Sequence, residues 1–183
     1  MQPASARHRE FEQLALPLLD ALYNFARWLT NDATEAEDLV QETVAKALRG
    51  FESFEAGTDF RAWVFRILRN TFLTSRTGLQ AKLTVPLDPE DDLPATVTWE
   101  TPETLALASA TREALQSALE QLPVAYREVI LLCDVEEMKY AEIAEVLSVP
   151  IGTVMSRLAR GRKAMRELLR GQRALSGMFG NSR

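Results

Sequence analysis

The chain has 183 residues, is 46% hydrophobic and 26% charged, and carries a formal net charge of −5. That length suits one domain or two small ones, no apolar run approaches the roughly 20 residues that cross a bilayer, and no basic-then-apolar leader opens the chain, so a soluble, cytoplasmic protein without membrane insertion is expected. Cys133 as the sole cysteine excludes an intrachain disulfide and His8 as the sole histidine excludes a Cys/His zinc cluster; a catalytic triad would have to recruit His8 from a polar terminus, so neither an enzyme, a cofactor nor a small-molecule substrate is expected.

A sustained i, i+3, i+4 series, Phe11, Leu14, Ala15, Leu18, Leu19, Leu22, Tyr23 and Ala26, predicts a first helix from Glu10 to about Leu29, with Pro17 kinking it or delaying its start. Asn31-Asp32-Ala33-Thr34 offers capping side chains to a second helix marked by Ala36, Leu39, Val40, Thr43, Val44, Ala47 and Leu48, which Gly50 can end. Phe51 and Phe54 anchor a loop. Thr58 or Asp59 can cap a third helix, Phe60 to about Ser75, on which Phe60, Trp63, Val64, Ile67, Leu68 and Phe72 face inward and Arg66, Arg69 and Arg76 outward.

From Gly78 to about Glu103 the periodicity gives way to prolines and acids, as in Val85-Pro86-Leu87-Asp88-Pro89-Glu90-Asp91-Asp92-Leu93-Pro94. Such a segment is an extended linker, either a plain tether or an insert that docks on a partner. Helical spacing returns with Leu105, Ala108, Leu115, Ala118, Leu119 and Leu122. Pro123 breaks it, and Tyr126 to Cys133 forms the next helix, where Cys133 reads as a small core residue. No strand alternation occurs. The expected fold is all-α, with two small helical domains, 1–82 and 105–183, joined by a flexible acidic linker over 83–104.

The last elements carry the functional signal. Ile143, Ala144 and Leu147 mark a short helix, Ser148-Val149-Pro150 a turn, and Ile151, Val154, Leu158, Met165 and Leu169 the apolar stripe of a longer helix. Thr153, Ser156, Arg157, Arg160 and Lys163 fall on the opposite side, with Arg162 and Arg166 nearer the stripe. A short helix, a turn and a helix with hydroxyls and cations outward follow the helix-turn-helix pattern, whose second helix reads base edges in a major groove. The bland alternative is an amphipathic helix pair with solvated cations.

The net negative charge fits DNA binding only once the charges are placed. Acids concentrate in 32–59, 88–103 and 113–145, whereas Arg61 to Lys82 contains none and Arg157 to Arg173 only Glu167. Two basic patches sit in an acidic body, which weakens unaided DNA binding and suits a basic protein partner.

The whole arrangement resembles the extracytoplasmic-function sigma factors of bacteria. The resemblance covers nearly the whole chain and rests on Ala36-Glu37-Asp38-Leu39-Val40-Gln41-Glu42-Thr43, on Phe60-Arg61-Ala62-Trp63-Val64-Phe65-Arg66-Ile67-Leu68-Arg69-Asn70-Thr71, on Leu119-Glu120-Gln121-Leu122-Pro123, and on Ile151-Gly152-Thr153-Val154-Met155-Ser156-Arg157-Leu158. It implies a region 2 that docks on core RNA polymerase through Asp38, Gln41 and Glu42 and opens the proximal promoter element with Arg66, Arg69, Asn70 and Arg76, aided by Lys82 in the following loop. It implies a region 4 that reads the distal element with Thr153, Ser156, Arg157, Arg160, Arg162 and Lys163. Trp63 is either a core residue or a wedge between bases. Met155 departs from the family, where a basic residue is frequent, and Ala159 stands where a bulkier one often lies. The expected partners are core RNA polymerase, promoter DNA and an anti-sigma factor, in a stress response. A decoy that sequesters an anti-sigma factor and a conventional helix-turn-helix regulator are the alternatives.

Overall fold

The computed structural model describes residues 4–55, 57–77 and 112–179; the expected linker over 83–104, Lys82, Leu105, Ala108 and the end of the C-terminal tail lie outside the described residues. Every described element is a helix or helical turn. Helix α1 (Ala4–Ala15) passes through a 3-10 turn (Leu16–Leu18) into α2 (Leu19–Thr30). Pro17, in the first positions of that turn, has no N–H to donate and breaks the expected first helix in two. Asn31, at φ 58°, ends α2, and its N–H donates to the Arg27 carbonyl at 3.0 Å. One residue later the Asp32 carboxylate accepts the Glu35 N–H at 2.8 Å and starts α3 (Ala33–Gly50). Gly50 closes α3 at φ −86°, so no left-handed cap is involved, and a 3-10 turn (Phe51–Ser53) follows.

Of the two candidate caps for the next helix, Asp59 fills the role. Its Oδ1 accepts the N–H groups of Arg61 and Ala62 at 2.8 and 3.2 Å, while the Thr58 hydroxyl donates to the Glu55 carbonyl. Helix α4 (Phe60–Thr77) then buries Val64, Phe65, Leu68 and Phe72 against Leu22, Phe25 and Leu29 of α2 and Leu39 and Ala47 of α3, with the Phe25 and Phe65 rings 5.4 Å apart. Fully burying one such side chain stabilises the fold by about 1.5–3 kcal/mol. Phe11, Phe51, Phe54 and Phe60 add an aromatic cluster with centroids 5.3–6.0 Å apart.

The next described elements are α5 (Arg112–Gln121), α6 (Val124–Ile130), a π-helical turn (Leu131–Val135), α7 (Tyr140–Leu147) and α8 (Ile151–Phe179). Pro123 separates α5 from α6. Arg127 reaches back across that break, donating to the carbonyls of Leu119, Glu120 and Leu122 at 2.8, 2.8 and 3.3 Å and so satisfying acceptors that a helix end leaves open. Cys133 lies in the π-turn and is half-buried, not a core residue.

By contacts the described residues form two units. One joins α1–α4 with Leu131–Ile151; the other joins α5, α6 and α8 from Gly152 onward. In the first, α7 packs against α4, and its buried residues are Ile143, Val146 and Leu147. An Arg61 Nη donates to the Glu136 carbonyl at 2.6 Å and pairs with its carboxylate at 3.3 Å, where the Glu136 side chain is only 5% exposed. Burial pushes the Glu136 carboxyl above the usual glutamate range, and the Arg61 charge and hydrogen bond partly oppose it. In the second unit a close approach explains a glycine: a Cβ at Gly161 of α8 would lie 3.1 Å from Ile130 Cδ1 and 3.2 Å from Tyr126 Cβ.

A raised folded-state pKa means that the native state binds the proton more tightly than the unfolded chain. The contribution of Glu136 is therefore complete below the ordinary glutamate range and is lost as pH rises through the raised value. Glu136→Gln flattens this dependence, whereas Arg61→Ala, which strands a buried carboxylate, steepens it and costs about 2 kcal/mol near neutral pH. Urea melts of both variants across the acidic-to-neutral range check the two signs.

Candidate nucleic-acid interface

Helix α4 is amphipathic with a one-signed outer face. Its apolar residues enter the core, and the sequence from Phe60 to Thr77 contains no acid, so Arg66, Arg69 and Asn70 gather on the opposite arc with no carboxylate among them. Arg66 and Asn70 are exposed and Arg69 is half-buried. Arg76, nearly two turns beyond, is held by contacts of its own. Its guanidinium donates to both Glu35 oxygens at 3.0 and 3.2 Å and lies 5.3 Å over the Phe72 ring, which ties the end of α4 to the start of α3.

Trp63 sits in the aromatic cluster, with its ring 5.1 Å from Phe54 and 5.6 Å from Phe60. It is half-buried there, which favours the core reading over the wedge.

Helix α3 buries Ala36, Leu39, Thr43 and Ala47 and leaves Asp38, Gln41 and Glu42 exposed together at i, i+3, i+4. Their inward neighbour Thr43 gives its hydroxyl hydrogen to the Leu39 carbonyl at 2.7 Å. Glu42 has an ion pair on its own helix, Lys46 Nζ at 2.8 Å, and the same ammonium donates to Thr71 of α4 at 3.2 Å. The acceptor face is thus present, with one of its three members already engaged.

The turn before α8 is built as its sequence suggests. Ser148 adopts φ 55°, a left-handed cap whose N–H donates back to the Ala144 and Glu145 carbonyls, and Pro150 precedes the first residue of α8. Along α8 Val154, Leu158, Gly161, Met165 and Leu169 are buried. Thr153, Ser156, Arg157, Arg160 and Arg162 are half-buried and Lys163 is exposed, so the six residues share the accessible arc to different degrees. Ser156 gives its hydroxyl hydrogen to the Thr153 carbonyl at 3.1 Å. Ile151, counted in the inward stripe from its spacing, is in fact 48% exposed, and Met155 is 42% exposed.

Residues 14–81 match the Sigma-70 region 2 model and residues 112–165 the Sigma-70 region 4 model. The chain belongs to the sigma-70 family of RNA polymerase sigma factors. Within it the chain falls in the extracytoplasmic-function branch. It is 34% identical over 159 residues to the ECF RNA polymerase sigma factor SigE of Mycolicibacterium smegmatis, a match that spans 87% of this chain and 61% of that protein. It is 31% identical over 159 residues to SigW of Bacillus subtilis, spanning 82% and 84% of the two chains. Among solved structures it is similar to the Bartonella quintana sigma factor RpoE in complex with the anti-sigma factor NepR, with 31% identity, a TM-score of 0.69 and coverage of 88% and 98%. It is also similar to CnrH in complex with the cytosolic domain of CnrY, with 28% identity, a TM-score of 0.66 and 90% coverage of each.

Both basic faces of this sigma factor therefore lie within segments matched by region models, and the acidic face of α3 lies in the first of them. No helix among the described residues is long and apolar enough to cross a membrane. Among the described residues no group of His, Cys, Asp and Glu is arranged to hold a metal ion. Sequence reasoning missed the exposure of Ile151, the close approach at Gly161 and the Arg61–Glu136 pair. Trp63→Ala opens the aromatic cluster and costs about 2–3 kcal/mol, less than for a fully buried ring, whereas Trp63→Phe costs under about 1.5 kcal/mol. Chemical denaturation of the two variants checks the order.

Proposed function

We propose that this sigma factor directs promoter-specific initiation by core RNA polymerase and has no catalytic activity of its own. Asp38, Gln41 and Glu42 dock on a basic surface of the polymerase. Arg66, Arg69 and Asn70, with Arg76 once it exchanges Glu35 for phosphate, hold the opened proximal element. The first turns of α8, with Thr153, Ser156, Arg157, Arg160, Arg162 and Lys163, read the distal element. The functional division is 1–82, a linker over 83–104, and 105–183, supported by the limits of the two region matches, 14–81 and 112–165. The observation that carries the reading is the pair of basic faces, one on α4, which has no acid, and one on the first turns of α8, separated in sequence and each inside its own matched region.

The chemistry follows from those faces. Separated strands need cations along the backbone and a polar group for an unstacked base, which Arg66, Arg69 and Asn70 supply together. Each face alone is small and the body is acidic, so free binding to DNA is weak. Held on polymerase, the second contact becomes intramolecular, and affinity rises through effective concentration. RpoE was solved with the anti-sigma factor NepR bound and CnrH with the cytosolic domain of CnrY, and an anti-sigma factor that releases this chain under stress is the corresponding control here. The chain works where the polymerase is, in the cytoplasm.

Transcription from a promoter library by purified core polymerase, with and without the protein, tests the proposal. Protein-dependent transcripts that share two spaced elements support it; their absence despite polymerase binding points to a decoy, and absence of both points to a conventional regulator. Arg157→Ala combined with Arg160→Ala lowers promoter-specific transcription by roughly 100-fold and leaves polymerase affinity unchanged. Asp38→Ala combined with Gln41→Ala raises the dissociation constant for core polymerase by about tenfold, read by fluorescence anisotropy, without loss of thermal stability because both side chains are exposed.

A further inference from the structure

The division of the chain by family match and its division by contacts disagree at one place. Residues 131–151 fall inside the region 4 match, 112–165, yet by contacts they join α1–α4, the body of the region 2 match. Helix α7, the first helix of the helix-turn-helix, packs on α4 with its Ile143, Val146 and Leu147 buried. Arg61 of α4 reaches across this contact, one Nη at 2.6 Å from the Glu136 carbonyl and 3.3 Å from its carboxylate. Each partner is set in place by its own side. Asp59 Oδ1 accepts the Arg61 N–H at 2.8 Å, and the guanidinium lies 5.6 Å over the Phe65 ring of the same helix. The N–H groups of Glu136 and Met138 donate to the carbonyls of Leu131 and Leu132 at 3.0 and 2.9 Å, and Glu137 between them stands at φ 52°, a conformation that residues other than glycine rarely adopt. The turn so fixed offers two acceptors of one residue to a single charged donor.

We propose that this contact is an autoinhibitory catch: with Arg61 closed on Glu136, α7 is held against α4, the chain does not span two promoter elements, and release of the catch is a step in forming the initiation complex. The inference rests on the assignment of α4 to the proximal element and of the helix-turn-helix to the distal one. Packed helices lie about 8–10 Å apart, the length of about three base steps. Two separately read elements need far more, since even neighbouring half-sites of paired helix-turn-helix units stand about 34 Å apart. The first helix of such a motif crosses the DNA backbone beside the groove that the second helix reads. While α7 stays on α4, it cannot take that position at a distant element. The catch also occupies Arg61, one of the cations of the acid-free helix α4, with a carboxylate from the other matched region. Polymerase and promoter then bind only the open fraction of the chain, and their apparent affinity is lowered by that fraction.

The test titrates the full chain into core polymerase on a promoter that it selects, and compares wild type with Arg61→Ala. Loss of the catch is expected to lower the half-saturating protein concentration about three- to tenfold. The sign is diagnostic. An Arg61 that merely held phosphate, or a variant that merely unfolded, would lower transcription instead. Small-angle X-ray scattering of the free chain is expected to give a larger radius of gyration for Arg61→Ala than for wild type, with the helical circular dichroism retained. Should Arg61→Ala lose that helical signal, Arg61→Lys, which keeps the charge but not the planar fork, carries the same test with a smaller shift in the same direction. An unchanged radius, or an unchanged or raised half-saturating concentration in a folded variant, overturns the proposal. No protein-dependent transcript from wild type on any template would instead overturn the sigma-factor reading, while the scattering of the free chain still reports on the catch.

Discussion

Helix α4 carries the first unit, because what it buries determines everything that it shows. Val64, Phe65, Leu68 and Phe72 are drawn into contact with α2 and α3 by the removal of apolar surface from water, and a helix with one stripe fixed has no rotational freedom left. Arg66, Arg69 and Asn70 face outward as a consequence of Phe65 facing in. The same packing provides the ledge on which α7 rests, and Asp59 sets the start of the helix by capping two N–H groups at once. A protein that must hold cations close together pays a repulsive cost, which is tolerable here because the core is apolar and the cations remain near water.

How far the sequence predicts this structure depends on the range of the physics. Caps and breaks were legible because each acts within a few residues: Pro17 can only interrupt a helix, and Asp32 and Asp59 need only reach N–H groups two or three positions on. The amphipathic faces of α3 and α4 were legible for the same reason, since periodicity is a local property. The pairing of Arg61 with Glu136 joins residues 75 apart in sequence, and that of Arg76 with Glu35 joins residues 41 apart; nothing in either neighbourhood announces the partner. Ile151 shows the limit most sharply. Its spacing placed it in the buried stripe, but it is the first residue of its helix, where no preceding turn exists to cover it. Gly161 carries no local signal either, since the side chains that occupy the space where its Cβ would stand, Tyr126 and Ile130, lie more than 30 residues away in sequence.

Electrostatics divides the labour among the faces. A chain with a net charge of −5 is repelled by nucleic acid at long range, and only where cations gather, on α4 with no acid and on α8 with the single acid Glu167, is phosphate attracted at short range. On the proposed function, the acceptors on α3 serve delivery and the cations on α4 and α8 serve capture. Exposed ion pairs such as Arg76 with Glu35 are weak in water, which makes them reversible when a phosphate competes for the arginine.

Lys46 gives that division a mechanical aspect. Its ammonium lies 2.8 Å from Glu42 on the acceptor face and 3.2 Å from the hydroxyl of Thr71, the residue that follows Asn70 on α4. One donor is thus shared between the exposed acceptor face of α3 and α4. A cation arriving at Glu42 competes with Lys46, whose part-exposed ammonium then turns to Thr71 and to water, so a contact made on α3 is felt first at the α3–α4 seam.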